Sequence, residues 1–357
     1  MKVYIKYFTI IFLKSVFFVF FVMGSLVFIL NLLSELEFFK EENVKISFTL
    51  FLALLNSPAL IFEMFPFIIL ITVQLFFIKI FENKEIEIFK YSGLKNSNII
   101  TILSALCVVT GILIIIIFYN LSSNLKNIYL DLKSVYTSDG KYLAVITKNG
   151  LWIKDRVDNQ IIITNSSLIE KNYIINNFIT VFDDDFNVIK NIKSNKIDIS
   201  KNKWKIENAR IYQNNNYTDK LEIKLQTNFD LDRIQSLYSN LSALNLFELY
   251  ELRKNYKNLN YSITEIDLHL LKIAFYPFYL LLMSLFSSLI MLNIKHIKST
   301  TFKISIGLFF SVIIYYLNNF SYVLGGTERV SLIFAVSLPL LILASINFVM
   351  LRNINEK

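Results

Sequence analysis

Six long apolar runs constrain this chain more than any other feature of its sequence. A helix needs about 20 apolar residues to cross the roughly 30 Å hydrocarbon core of a bilayer, and each run has about that length. The runs cover residues 12–33, 58–80, 99–121, 268–292, 302–323 and 331–351. Ser57 before Pro58 has the pattern of a helix N-terminus, so the second helix is predicted to begin there. The sequence therefore predicts an α-helical integral membrane protein with six transmembrane helices.

The six runs form two groups of three around a large polar insert. We expect transmembrane helices 1–3 in residues 1–121, the insert in residues 122–265, and transmembrane helices 4–6 in residues 266–357. Lysine residues concentrate before run one, between runs two and three, and between runs four and five. Short loops rich in Lys and Arg stay in the cytoplasm. Both termini are therefore predicted to be cytoplasmic, and the insert is predicted to lie on the opposite side, which in a bacterium is the periplasm.

The insert has the pattern of a β domain followed by a helical linker. Strand-like segments begin at Gly140 and Trp152 and cover residues 161–163, 173–182, 188–192, 197–199, 204–212 and 221–225. Turn formers such as Asp183 to Asp185 separate them, and many short strands at this spacing indicate a sandwich or jelly roll. Helical spacing then follows at Ile234, Leu237, Tyr238 and Leu241.

The sequence lacks the motifs of several kinds of site. It has no phosphate-binding loop ending in Gly-Lys-Ser or Gly-Lys-Thr, so the chain does not hydrolyse ATP by that route. His269 and His296 lie at opposite ends of the fourth span, roughly 30 Å apart, and cannot share a metal ion. The single cysteine, Cys107, excludes an intramolecular disulfide and a cysteine-based metal cluster. The net charge of +8 is explained by membrane topology and anionic lipid, and requires no nucleic acid.

A short amphipathic segment, residues 82–94, separates the second and third apolar runs. A turn between two spans needs only a few residues, so a helical segment here indicates a further role. Glu85 and Lys90 supply charges, while Ile86 and Phe89 place apolar groups on one helix face. Gly93 is suited to end the helix as a C-cap. The segment is predicted to dock a soluble partner at the membrane surface; the alternative is a solvated turn with its apolar side against lipid.

Four stretches in order along the chain resemble the LptF/LptG permeases of the lipopolysaccharide-export ABC transporter. Residues 84–93 resemble the family pattern S-E-L-x-x-[LM]-R-[AS]-x-G, although Lys84 and Lys90 replace the usual serine and arginine. Residues 150–155 resemble G-L-W-x-[RK]-D, and residues 204–212 resemble W-x-[LI]-E-[ND]-[AV]-R-[IV]-Y. Residues 315–319 resemble the asparagine-bearing fifth span. A short acidic first periplasmic loop and the stretch from Ser57 to Pro66 are more similar to the LptG branch.

The resemblance implies a transport subunit and not an enzyme. One LptF-like and one LptG-like permease would sit on a dimer of a separate LptB-like ATPase, which uses ATP and magnesium, while this chain binds no cofactor. The permeases would extract lipopolysaccharide from the bacterial inner membrane. A bitopic LptC-like protein and a periplasmic LptA-like bridge would then receive it. The fold implied is six transmembrane helices, three on each side of an inserted periplasmic β-jelly-roll domain.

The resemblance also implies roles for individual residues. Coupling to the ATPase is predicted for Glu85, Ile86, Phe89, Lys90 and Gly93. A lipid path along spans one and five is predicted to include Phe21, Gly24, Phe28, Asn31, Leu32, Lys40, Tyr315, Tyr316, Asn318 and Asn319. Four glutamates lie near Lys40 in the sequence, and their negative charge makes this lysine less suited to bind a phosphate group. In the periplasmic domain the predicted residues are Trp152, Trp204, Ile206 and Ile211.

Three alternatives compete with this interpretation. An ABC permease for another lipid or envelope cargo would use its periplasmic domain as a lever. It would have the same coupling helix but a closed periplasmic domain that carries no lipid. A membrane-anchored periplasmic enzyme would need converging polar residues within 122–265, and the sequence shows none. A structural or sensory membrane protein would leave the pattern from Glu85 to Gly93 unexplained.

Overall fold

The structure is a computed structural model that describes most of the chain. The described residues are 3–40, 44–83, 85–134, 136, 151–157, 159–170, 172–213, 216–231, 234, 240–258, 262–294, 297 and 299–352. The strand and turn predicted for residues 140–150 lie outside the described residues, as do Lys84, Leu237, Tyr238 and His296. Contacts divide the chain into a membrane unit, Met1–Lys126 with Ile263–Lys357, and an inserted unit, Asn127–Ser262.

The described residues contain six helical segments long and apolar enough to cross a membrane, which confirms the predicted number. The first part of the chain forms α1 (Val3–Phe38), α2 (Ile46–Glu82), the short α3 (Glu85–Tyr91), α4 (Asn96–Leu113), a π-helical segment (Ile114–Tyr119) and α5 (Asn120–Ser134). The third span comprises α4, the π-helical segment and α5. After the strands come α6 (Leu246–Asn258), α7 (Thr264–Asn293), α8 (Thr300–Gly326) and α9 (Leu332–Leu351).

Helix α2 continues through two prolines. The predicted start at Pro58 is wrong, because α2 begins at Ile46 and contains both Pro58 and Pro66. Proline removes a backbone donor and usually breaks or kinks a helix. A proline leaves the carbonyl four residues before it without its helical donor, and at Pro66 the Tyr276 hydroxyl donates to that carbonyl, of Phe62, at 2.6 Å. Polar side chains also bond the backbone just before Pro58. The Ser57 hydroxyl donates to the Ala53 carbonyl at 2.6 Å, and the Asn31 amide donates to the same oxygen at 2.9 Å. Ser57 is therefore an interior residue of α2, and its hydroxyl does not cap the helix.

Helices α2 and α7 form the centre of the membrane unit. They are the most deeply buried spans, whereas α1 and α8 are the most exposed. Helix α1 packs along α2, and α8 packs against α2, α7 and α9. The core is built mainly from apolar side chains such as Phe8, Phe76, Phe77, Leu103 and Leu280. Helices α1 and α8 therefore leave broad apolar faces for lipid or for other chains.

A buried amide joins α2 to α8. Gln74 is fully buried, and its Nε2 donates to the Lys303 carbonyl at 2.8 Å. This contact needs glycine at position 307, because a Cβ there would overlap the Gln74 side-chain amide. Small residues allow membrane helices to approach closely, and polar side chains then bond across the interface. Gln74 and Gly307 therefore fix α8 against the centre of the bundle.

Gly307→Ala is expected to lower the free energy of unfolding by about 2 kcal/mol, the usual cost of overpacking. The added methyl group would displace the Gln74 amide from the Lys303 carbonyl. Thermal unfolding of the detergent-solubilised protein would measure the loss. Gln74→Ala in the same chain should restore most of it, because the overlapping amide is then gone. A double variant that is less stable than either single variant would show that the contact is not the source.

The inserted unit contains a six-stranded antiparallel sheet, which confirms the predicted β domain between the third and fourth spans. The strands are β1 (Leu151–Val157), β2 (Gln160–Glu170), β3 (Tyr173–Phe182), β4 (Val188–Asp198), β5 (Lys203–Gln213) and β6 (Asn216–Gln226). The segments predicted at 188–192 and 197–199 form one strand, β4. Consecutive strands are neighbours throughout the described sheet. The Greek-key connections of a typical jelly roll would instead place some non-consecutive strands side by side.

A row of irregular residues crosses the middle of the sheet. Inward-facing residues of a regular strand are two positions apart. In β3, β4 and β5, one pair of successive buried residues is three positions apart instead of two. The pairs are Ile174 and Asn177 in β3, Ser194 and Ile197 in β4, and Ile206 and Ala209 in β5. Asn176 and Asn208 lie within this row with positive φ values of 53° and 48°, a conformation that asparagine tolerates better than most residues. The extra residue in each strand lets the apolar side chains before it and after it face the same interior.

Asp155 joins the first strand to the segment after the last one. The carboxylate is buried, and its Oδ2 accepts hydrogen bonds from Thr227 Oγ1 at 2.6 Å and from the Asn228 backbone N–H at 2.8 Å. Its Oδ1 accepts from Asn228 Nδ2 at 2.8 Å and from the Arg156 backbone N–H at 2.8 Å. Four donors thus satisfy one buried charge. Asp155 therefore closes β1 onto the chain that leaves β6.

Candidate functional site

The candidate site centres on α3, the short helix between α2 and α4. It starts directly after the loop at Asn83 and ends at Tyr91. Gly93 has a φ of 82°, its N–H donates to the Lys90 carbonyl, and the Leu94 N–H donates to the Phe89 carbonyl. This pattern is a Schellman motif with glycine at the left-handed position. The structure thus confirms Gly93 as the residue that ends α3.

Glu85 is held by two donors at the start of α3. The Tyr7 hydroxyl of α1 donates to Glu85 Oε1 at 2.6 Å, and Asn83 Nδ2 donates to the same oxygen at 2.9 Å. Within the part of the chain that the structure describes, the buried Glu85 Oε2 accepts no hydrogen bond. Glu85 is therefore tied to α1 through one oxygen.

The apolar face of α3 lies against the membrane unit. Ile86 and Phe89 pack on the core, and the Phe89 ring meets the Phe8 ring edge-on at 5.0 Å between centroids. The outer face carries two exposed apolar side chains, Ile88 at 60% and Tyr91 at 90% exposure. Glu87 and Lys90 are also exposed there. Sequence periodicity identified Ile86 and Phe89 as an apolar pair but did not indicate that they face the chain's own core.

The residues predicted on span one fall on two different faces of α1. Phe21 is 66% exposed, and Phe28 and Leu32 are half-buried. Gly24 and Asn31 face α2 instead. A Cβ at Gly24 would lie 3.5 Å from Ile61, and Asn31 is buried between the Ala53 carbonyl and the Asn56 amide. Asn31 therefore holds α1 to α2, and only the phenylalanine and leucine side chains remain available to a lipid.

The residues predicted on the fifth span lie along a partly open face of α8. Tyr316 is 67% exposed, and Tyr315 is half-buried with its ring 5.7 Å from the Phe67 ring. Asn318 and Asn319 are half-buried. Amides at membrane depth gain from hydrogen-bonding partners, so this face of α8 suits contact with a polar group of a ligand or of a second chain.

A cluster of charged and polar groups lies at the opposite end of the bundle from α3, and the sequence patterns did not indicate that its members meet. The half-buried Lys126 ammonium is close enough to the Glu63 carboxylate for electrostatic attraction. Nearby, the Tyr119 hydroxyl lies 3.1 Å from His269 Nε2. Glu63 is about 28 Å along α2 from Glu82, nearly the thickness of the hydrocarbon core. Lys40, the predicted basic residue at this end, is exposed in the turn after α1.

The predicted residues of the β domain have different environments. Trp204 and Ile206 belong to the packed interior, and Trp204 Nε1 donates to the Phe229 carbonyl at 2.7 Å. Ile211 packs at the margin of this core. Trp152 points outward and is 56% exposed. Because side chains of the domain itself fill the interior around Trp204, this conformation has a closed core.

Strand β6 forms one edge of the described sheet. Its only strand neighbour there is β5, and Leu221 is 86% exposed. Arg210 of β5 binds Asp219 of β6 through two hydrogen bonds of 2.8 and 3.2 Å. The guanidinium lowers the pKa of the Asp219 carboxyl. Charged side chains along an edge strand limit unspecific pairing while leaving the backbone able to add a strand.

A family model described as lipopolysaccharide export system permease LptF/LptG matches residues 6–353. The match covers nearly the whole chain, including all six spans, α3 and the β domain. Its description includes both paralogues, so the similarity to LptG over LptF stays a prediction. No curated protein matches the chain significantly.

Proposed function

Because the chain belongs to the LptF/LptG family of lipopolysaccharide export permeases, we propose that it is one of two six-span subunits of the exporter. The paired subunits extract lipopolysaccharide from the inner membrane and pass it to a periplasmic bridge. The observation that carries this proposal is the family match across residues 6–353. The partners are a paralogous permease, a dimer of an LptB-like ATPase, an LptC-like protein and an LptA-like bridge.

We place both termini and α3 in the cytoplasm and the β domain in the periplasm. Lysine-rich short loops support this orientation. The hydrogen bond from Tyr7 to Glu85 supports it as well, because it holds α3 on the same side of the membrane as the start of α1. Helix α3 is then positioned to meet the ATPase. Its outer face, formed by Glu87, Ile88, Lys90 and Tyr91, supplies both charged and apolar contacts.

Helices α1 and α8 are proposed to line the lipid path. Exposing acyl chains to water costs about 0.8 kcal/mol for each CH₂ group, so each long chain needs a continuous apolar route. The exposed Phe21, with Phe28 and Leu32, supplies such a surface on α1. Tyr316, Asn318 and Asn319 on α8 add polar groups suited to the sugar headgroup. Strand addition at the β6 edge would continue the route into neighbouring domains.

Lys126 is a better candidate phosphate ligand than Lys40. Lys126→Glu is expected to reduce the lipopolysaccharide retained by the purified complex about fivefold or more, since each basic residue near an anionic surface contributes about 1 kcal/mol. Lys40→Glu makes the same change at an exposed, acidic position and should have little effect. Quantifying bound lipid in both variants compares them directly. Equal retention in the two variants would remove Lys126 from the site.

The packed interior around Trp204 favours a second candidate function. A permease for another lipid or envelope cargo would use a closed β domain as a lever and would carry no lipid through it. The same α3 would couple it to an ATPase. The nature of the co-purified lipid separates the two candidates.

Purification from the native membrane in mild detergent, followed by mass spectrometry, tests the proposal. The expected complex contains a second six-span permease, an ATPase with a phosphate-binding loop, a one-span protein with a β domain, and lipopolysaccharide. Recovery of an ATPase with a different lipid would favour the lever permease. Recovery without any ATPase would contradict both candidate functions.

A further inference from the structure

Tyr7 links the first membrane helix to α3 through a hydrogen bond and an aromatic contact. Its hydroxyl donates to Glu85 Oε1 at 2.6 Å, within the 2.5–2.7 Å range of an O–H group bonded to a carboxylate. The Tyr7 ring also lies 6.3 Å from the Phe89 ring. We propose that Tyr7 is a positioning residue that transmits movement of α3 to α1. This inference rests on the proposed function, because it assumes that an ATPase acts on α3.

The geometry makes Tyr7 the polar part of this link. Asn83, the other donor to Glu85 Oε1, is the C-cap residue of α2 and lies only two positions before Glu85, so its bond is local and does not join α3 to α1. Phe8 and Phe89 supply the apolar part, with ring centroids 5.0 Å apart. A hydrogen bond has directional geometry, while an apolar contact alone allows sliding. Tyr7 therefore sets the angle at which α3 lies on α1.

Helix α1 is suited to carry the movement further. It is one continuous helix from Val3 to Phe38. Phe21, the first of the proposed lipid-path residues, lies about 21 Å along the helix axis from Tyr7. Much of the surface of α1 faces away from the bundle, and within the membrane unit α1 packs mainly on α2. A displacement of α3 by the ATPase would thus reach the lipid path through Tyr7.

Tyr7→Phe tests the proposal because it removes only the hydroxyl group. Tyr250→Phe is the matched control, since it removes a hydroxyl from an exposed side chain of α6. The first measurement is the rate of tryptic cleavage after Lys90 in the full-length purified chain. A hydrogen bond to a charged group shifts a local opening equilibrium by roughly tenfold, so we expect Tyr7→Phe to accelerate cleavage several-fold and Tyr250→Phe to leave it unchanged. An unchanged rate in Tyr7→Phe would overturn the link.

The second measurement uses the assembled complex in proteoliposomes and compares lipopolysaccharide released with ATP hydrolysed. For Tyr7→Phe we expect the ATPase to remain bound and active, and the lipid released per ATP to fall several-fold. An unchanged ratio, or loss of the ATPase from the complex, would overturn the role in transmission. If the wild-type complex hydrolyses ATP but releases no lipopolysaccharide, the proposed function fails, while the cleavage measurement still decides whether Tyr7 holds α3.

Discussion

Glu85→Arg is expected to abolish lipopolysaccharide export while leaving membrane insertion intact. Arginine has no acceptor for the Tyr7 hydroxyl or the Asn83 amide, both of which bond Glu85 Oε1. The change also reverses the charge at the start of α3, where a carboxylate is favoured by the unpaired N–H groups of the helix. Both the docking of α3 on α1 and the surface presented to the ATPase would be altered. Lipopolysaccharide transport by proteoliposomes containing the variant complex measures the effect.

Two further variants test whether the loss of transport is specific to the charge reversal at Glu85. Glu85→Gln keeps an oxygen acceptor for Tyr7 and removes only the charge, so we expect a partial loss of transport. Glu251→Arg makes the same charge reversal at an exposed position of α6 and should transport normally. Normal export by Glu85→Arg would contradict the assignment of α3 as the coupling helix.

Asp155→Ala is expected to destabilise the β domain by about 3 kcal/mol or more, because several buried donors would lose a charged acceptor at once. The variant leaves Thr227 Oγ1 and both nitrogen donors of Asn228 without that partner. It also removes the link that closes β1 onto the segment after β6. Limited proteolysis of the purified protein, followed over a temperature series, would detect earlier cleavage within residues 151–230.

Asp183→Ala provides a matched control for Asp155. The Asp183 carboxylate also accepts several hydrogen bonds, from the Asp185 and Asn187 backbone N–H groups and from Asn187 Nδ2, but it lies in an exposed turn. These bonds lower the pKa of Asp183, and water can replace them in the variant. We therefore expect a much smaller effect. Equal losses for the two variants would show that burial is not what makes Asp155 important.

The membrane spans and the β domain could be predicted because their signals repeat over many residues. Six apolar runs have the length of about 20 residues that a membrane span needs, and strand segments such as Tyr173–Phe182 were identified with correct limits. Two of the stretches that resemble the family, residues 150–155 and 204–212, each contain a residue with a structural role in the β domain. Asp155 closes the sheet, and the Trp204 indole bonds the Phe229 carbonyl in the core.

Other features depend on contacts between distant parts of the chain, which local patterns do not contain. The continuation of α2 through Pro66 is supported by α7, whose Tyr276 hydroxyl donates to the Phe62 carbonyl that the proline leaves without its helical donor. A helix as short as α3 has two faces, and only contact with Phe8 shows that Phe89 belongs to the inner one. Lys126 and Glu63 are 63 residues apart in sequence, and only the helix packing brings them together.

We propose that this chain couples ATP hydrolysis by its partner ATPase to the extraction of lipopolysaccharide. The most direct test places the purified complex in proteoliposomes loaded with lipopolysaccharide and measures lipid transfer to a soluble acceptor domain. The predicted result is transfer that requires ATP, that the Glu85→Arg complex lacks, and that other membrane lipids do not undergo. ATP hydrolysis without lipopolysaccharide transfer, or ATP-driven transfer of a different lipid in its place, would contradict the claim.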